Sequence, residues 1–156
     1  MGNPGLAGGG GLIRDANGSW VSGYARAIGC TTNMAAELWA LRDGINLCIS
    51  LNLQAVVIEL DAKLVVDLLS KTTRSSNAID TIAADCKEGL KKIPMTIMQQ
   101  CYREANKCAD ALARRGALLP QDFVIFQELP IEVSFLLSLD SADVLYERSV
   151  SSFEPF

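Results

Sequence analysis

Apolar positions along this chain keep two rhythms, one of strands and one of helices, and the order of the two predicts the architecture. Leu6-Ala7 and Leu12-Ile13 bracket a glycine run from Gly8 to Gly11, and Asp15-Ala16-Asn17-Gly18 follows before apolar residues resume. Asn-Gly between two apolar runs predicts a hairpin, because both residues tolerate positive φ; its strands fall near residues 6–14 and 19–28. Glycines inside a strand predict that another backbone, or a ligand, passes close over it. From Asn33 to Leu51 the residues Met34, Leu38, Leu41, Ile45, Leu47 and Cys48 recur at helical spacing. Thr32 or Asn33 is placed to cap that helix, with Glu37 in its first turns. Residues 55–60 are a short, β-branched, nearly continuous apolar run ending at Asp61, the pattern of a buried parallel strand.

A helix over residues 62–70 is expected next, then a second helical pattern from Asn77 to Leu90. Pro94 separates that pattern from a strand over residues 95–102, and a helix follows from Asn106 to Leu118. Strands interleaved with helices in this order make an α/β domain with mixed sheet pairing. The domain is expected over residues 1–120. Residues 121–156 form a C-terminal tail with two apolar pieces, at 123–126 and 131–139, to which the sequence assigns no chemical role.

Composition narrows the chemistry. With 49% hydrophobic residues in 156, the chain can bury a core without a structural metal or a disulfide framework. Five cysteines at positions 30, 48, 86, 101 and 108 form no C-x-x-C pair and read as reduced thiols of an intracellular protein. No apolar run reaches the roughly 18 residues needed to span a bilayer. The absence of histidine removes Ser-His-Asp and Cys-His nucleophiles and His-containing zinc sites, so hydrolysis would rest on carboxylates, lysine or a metal. A net charge of −4 argues against a strong non-specific grip on phosphate backbones, although a cluster of metal-binding carboxylates would itself produce such a charge.

Three acids stand at restrictive places: Glu37 in a helix among apolar neighbours, Asp61 where a buried strand ends, and Asp110 inside the last helix of the predicted domain. A strand-end aspartate faces the crevice where α/β sheets bind ligands. If the helices bearing Glu37 and Asp110 pack over the same edge, the three would hold a cation between them. Oxygen ligands without histidine favour Mg2+ or Mn2+ over zinc, and two such ions about 4 Å apart can activate water and stabilise a leaving oxygen in phosphodiester cleavage.

Four blocks in order then resemble those of plant ribonuclease H-like domains, the reverse-transcriptase-like family related to retroelement proteins. They are Gly2-Asn3-Pro4-Gly5 with Gly8 to Asp15; Asn33-Met34-Ala35-Ala36-Glu37-Leu38; Ile58-Glu59-Leu60-Asp61; and Arg103 through Asn106 and Asp110 to Ala113. The resemblance covers residues 2–120. It implies a ribonuclease H fold, a mixed sheet flanked by helices, that cleaves the RNA strand of RNA/DNA hybrids with Mg2+ or Mn2+ held by Glu37, Asp61 and Asp110. It further implies that Asn106 and Asn33, with Asn3 and Gly5, line the path of the hybrid, whose 2′-hydroxyls distinguish RNA from DNA.

Two departures from the family pattern qualify this. The family's leading aspartate lies in a D-G-A-type segment before G-N-P-G, on the central strand of the sheet, and that segment is absent here; Asp15, in the hairpin turn, is no substitute. Both neighbours of that strand would then carry unpaired ladder groups. Gln100 stands where active members place a histidine thought to help product leave. The alternative to an enzyme is a remnant that keeps the fold and binds nucleic acid or a partner without turnover.

Overall fold

A computed structural model of the chain describes residues 5–60, 77–100, 107–142 and 152–155; within these, residues 5, 6, 30, 33, 77, 78 and 138 onward are described by backbone alone. Strands β1 (Gly5–Arg14) and β2 (Trp20–Thr31) form the predicted hairpin. Its turn differs in one respect from expectation: Gly18 has φ +83° and Asn17 keeps a negative φ. The Gly18 amide donates to the Asp15 carbonyl at 2.9 Å, and one carboxylate oxygen of Asp15 accepts from the amides of Asn17 and Ser19, each at 2.9 Å. The aspartate thus does what a backbone turn residue would do, which leaves only glycine in the left-handed region.

Helix α1 (Asn33–Ser50) is capped by Thr32, whose hydroxyl accepts from the Ala35 amide at 3.3 Å. Strand β3 (Ala55–Leu60), helix α2 (Asn77–Lys91), strand β4 (Met95–Gln100) and helix α3 (Lys107–Ala117) follow in the expected order. The helix expected over residues 62–70 lies outside the described residues. The tail supplies strand β5 (Phe123–Phe126), helix α4 (Ile131–Ala142) and strand β6 (Ser152–Pro155). No helix among the described residues is long and apolar enough to cross a membrane.

All six strands join one sheet in the order β4-β3-β6-β1-β2-β5. β1 pairs antiparallel with β2, and β2 antiparallel with β5; β3 pairs parallel with β4, as its nearly continuous apolar run predicted. The expectation of unpaired edges on either side of an empty centre is corrected. β6 enters between β1 and β3, running parallel to β1 through Leu12 and Ile13 and antiparallel to β3 through Val56, Val57 and Ile58. The physical reason is the one that made bare edges unwelcome: buried N–H and C=O groups must find partners, and the tail supplies them.

Alternation along the strands divides the core between the two faces. Ile13, Val56, Ile58 and Leu60 point to one face, packed with Leu38, Leu41 and Ile45 of α1 and with Ile82 and Cys86 of α2. Leu12 points to the other face and meets Cys108, Ala109 and Leu112 of α3 with Val133 and Leu137 of α4. The tail elements therefore complete the domain: β6 joins β1 to β3, β5 extends the sheet and α4 closes its second core.

Candidate functional site

The glycine run fixes how the helices sit. A Cβ on Gly8 would fall on the backbone of Ala113, Gly116 and Ala117, and one on Gly10 would lie 2.5 Å from the Ala113 amide nitrogen. The backbone predicted to pass close over β1 is thus that of α3. A Cβ on Gly9 would instead meet Ala40 of α1, at 3.4 Å. The two helices press on opposite faces of the same short stretch of β1.

The end of β3 reaches the same level. Ile13 of β1 and Ile58 of β3 both lie in register with Phe153 of β6, and two residues further along the antiparallel strands Gly11 comes level with Leu60. Glu37 precedes Ala40 by one helical turn and is half-buried; Asp110, in the first turn of α3 and two residues before Leu112, is exposed. Asp61 follows directly on Leu60 but lies outside the described residues, as do Asn3 and Asn106. Gly5 opens β1 and Asn33 opens α1, both described by backbone alone. Gln100 pairs in register with Leu60, which puts it at the same end of the sheet. Among the described residues, which exclude Asp61, no three His, Cys, Asp or Glu side chains cluster closely enough to hold a metal.

Below this level the sheet carries a buried ion pair. Arg14 Nη2 lies 3.6 Å from Glu59 Oε1, with the side chains 1% and 3% exposed, and Gln99 Nε2 donates to Glu59 at 3.1 Å. Arg14 belongs to β1 and Glu59 to β3, so the pair spans the strand between them. A second pair fixes α1 to β2. Arg26 Nε donates to Asp43 Oδ2 at 2.5 Å and its Nη2 to Oδ1 at 3.0 Å, while its guanidinium stacks 4.5 Å from the ring of Phe123 and 5.3 Å from that of Trp39. Burial pushes the Asp43 carboxyl above its ordinary value against the opposing pull of Arg26. The ring of Trp39 stacks under the guanidinium groups of Arg26 and Arg42, and Trp20 donates its ring N–H to the Gln127 carbonyl at 3.1 Å. Cys48 and Cys86 are buried, and desolvation pushes each thiol up to about 12, where a structural thiol is inert.

Comparison with known proteins decides what this arrangement belongs to. Residues 2–116 match the reverse transcriptase-like family. The chain belongs to that family. A provisionally named ribonuclease H protein of Arabidopsis thaliana is 33% identical over 149 residues, covering 96% of this chain and 24% of its own length. The chain spans about a quarter of that relative. Among solved structures, RNase H1 of Halobacterium salinarum superposes with a TM-score of 0.67 at 25% identity, over 74% of this chain and 89% of the archaeal one. The N-terminal RNase H domain of a Mycobacterium tuberculosis protein does so with a TM-score of 0.68 at 24% identity, over 75% of this chain and 86% of that one. The fold of this reverse transcriptase-like domain is therefore that of ribonuclease H, as the four sequence blocks implied.

Two features of the domain escaped the sequence. The Arg14–Glu59 pair had a signal, since a basic residue closes one apolar strand and an acidic residue is the last but one of another, but strand pairing was needed to join them. β6 had none, because Ser152-Phe153-Glu154-Pro155 shows neither a β-rich run nor sustained alternation and contains a proline.

Proposed function

We propose that this reverse transcriptase-like domain is a divalent-metal nuclease that cuts the RNA strand of RNA/DNA hybrids, with Glu37, Asp61 and Asp110 as its metal-binding carboxylates. The observation that carries the reading is that α1 and α3 pack on opposite faces of Gly8–Gly10 of β1 while the last residue of β3 lies level with Gly11. The two helices bear Glu37 and Asp110 close to that contact, and Asp61 is the next residue of the sequence after β3.

The donor set suits the ion. Three carboxylates and no histidine make a hard, anionic site of the kind that takes Mg2+ or Mn2+. Bound there, the metal supplies Lewis-acid stabilisation of the phosphodiester as charge builds on it. The protein's part is to hold the carboxylates at fixed spacing from a rigid sheet and two buried helices, so that little reorganisation is left for the reaction itself. Gly5 and Asn33, at the first residues of β1 and α1, and Asn3 and Asn106 are the residues proposed to position the hybrid. In full-chain assays with Mg2+ or Mn2+, a labelled RNA/DNA hybrid is cut on its RNA strand while duplex DNA is spared. Asp61→Asn lowers the rate by about 100-fold or more, the scale of a lost transition-state contact, and Glu37→Gln and Asp110→Asn act in the same direction.

Gln100 favours a second reading, a module that binds hybrid without turnover, since it lies at this end of the sheet in the position where the family resemblance places a histidine that helps product leave. Saturable hybrid binding with no scission at any metal concentration selects that reading.

A further inference from the structure

Arginines in this fold hold its elements together. Arg14 meets Glu59 across the sheet, Arg26 grips Asp43, Arg42 reaches Asp85 on α2, and Arg115 donates to Glu132 on α4. The guanidinium of Arg115 also lies over the ring of Phe126 in β5, 4.9 Å from its centroid. Arg114 departs from this pattern. It is exposed, and among the described residues its side chain joins no ion pair, hydrogen bond or ring contact. The tandem arginines thus divide, one pinned to α4 and β5 and the other left in solvent.

α3 sets Arg114 beside the candidate site. Cys108, Ala109, Leu112 and Gly116 are the buried residues of the helix. At about 100° per residue, Arg114 stands at the middle of the opposite face, with Asp110 one turn before it on the same side. Acid before base at this spacing favours an ion pair on a helix, yet the two make none. The platform beneath them is rigid. A Cβ on Gly116 would lie 2.5 Å from the Arg26 carbonyl oxygen and 2.8 Å from that of Gly9, so the backbone of α3 is held against β1 and β2 while Arg114 faces water.

Acids at the candidate site repel a polyanion, and a net charge of −4 adds to the repulsion. About 6 Å along the helix from Asp110, the charge of Arg114 acts within the Debye length of about 8 Å at physiological salt. It persists at every working pH, and its planar fork matches the oxygens of a phosphate. We propose that Arg114 is a positioning residue that binds a backbone phosphate of the nucleic acid beside Asp110. This rests on the hybrid-binding reading above and holds whether or not the bound hybrid is cut. The contact fixes the backbone and carries no base sequence.

In EDTA the RNA strand stays whole, and the anisotropy of a fluorescent RNA/DNA hybrid gives its Kd from about 50 to 200 mM KCl. Losing one phosphate contact lowers the slope of log Kd against log salt by about 0.9. Arg114→Gln should show that drop and weaken binding several-fold, equally for hybrids of unrelated sequence. Arg114→Lys keeps the charge and should keep the slope. Lys92→Gln removes an exposed charge just before β4, at the opposite end of that strand from Gln100, and should leave slope and Kd unchanged. Thermal melts of the three variants should coincide with that of the parent, because both positions are exposed.

An unchanged slope for Arg114→Gln, in a chain that binds hybrid, overturns the phosphate contact and leaves the hybrid reading standing. Equal losses from Arg114→Gln and Lys92→Gln overturn it as well, since net charge alone then accounts for them. A parent chain that binds no hybrid, in EDTA or in Mg2+, sinks the hybrid reading itself.

Discussion

Arg14 and Glu59 are both buried to within a few per cent, in the middle of a sheet whose other inward residues are almost all apolar. Two charges taken out of water gain little net stability from each other, but removing one strands its partner. Arg14→Met should therefore lower unfolding stability by about 3–5 kcal/mol, and Arg14→Met combined with Glu59→Leu by clearly less than the sum of the single changes. Urea midpoints of the four proteins check this, and strict additivity would contradict it. Asp43 gives a second test at the same scale. Burial raises its carboxyl in the folded state, so the folded chain keeps that proton to higher pH than the unfolded chain does. Its contribution to stability is then greatest below the unfolded value, near about pH 4, and is lost as pH rises through the raised folded value. Asp43→Asn should remove that fall from a stability-versus-pH curve, at the cost of the charge-assisted bonds to Arg26; an unchanged curve would show that another group sets the slope.

At the scale of elements, the glycines of β1 make the sharpest claim. Gly10→Ala sets a methyl 2.5 Å from a backbone nitrogen of α3, where no side chain can swing aside, and should cost about 1–3 kcal/mol by forcing the helix outward. Thermal melts and the rate of hybrid cleavage should fall together, because α3 carries Asp110. A full-stability Gly10→Ala variant would mean that α3 does not sit where the glycines place it. That close approach was legible in the sequence as glycine inside a strand pattern, and α1 was legible through its 3.6-residue period and its Thr32 cap. The parallel pairing of β3 could be read from its nearly continuous apolar run, broken only by the ion-paired Glu59, since a strand covered on both faces has little polar side to alternate. The hairpin was legible in position and misread in detail: Asp15 anchors the turn with its own carboxylate, so Asn17 is spared a positive φ. β6 was illegible because its place comes from unpaired groups on β1 and β3, which are a property of the assembled sheet and leave no mark on residues 152–155.

For the whole molecule, the fold is shared with ribonuclease H domains of a bacterium and an archaeon at about a quarter identity, a level at which the fold persists while sites change. What this chain shares with them is the framework itself, in which α1, with Glu37, and α3, with Asp110, pack on opposite faces of β1. Glu37 could be picked out because a capped helix held it in its first turns, and Asp61 because a buried strand ended there; Asp110 took its meaning from the ordered blocks that surround it. Whether their carboxylates share one ion is a matter of tertiary geometry, and it is open to direct measurement. With the chain labelled with 15N, substoichiometric Mn2+ broadens the amide signals of residues close to the bound ion. Signals around Glu37, around Leu60–Asp61 and around Asp110 should fade together at the same low Mn2+ ratio, and Asp61→Asn should abolish all three effects at once. Broadening confined to one of the three segments, or spread over the acidic surface without preference, would contradict it.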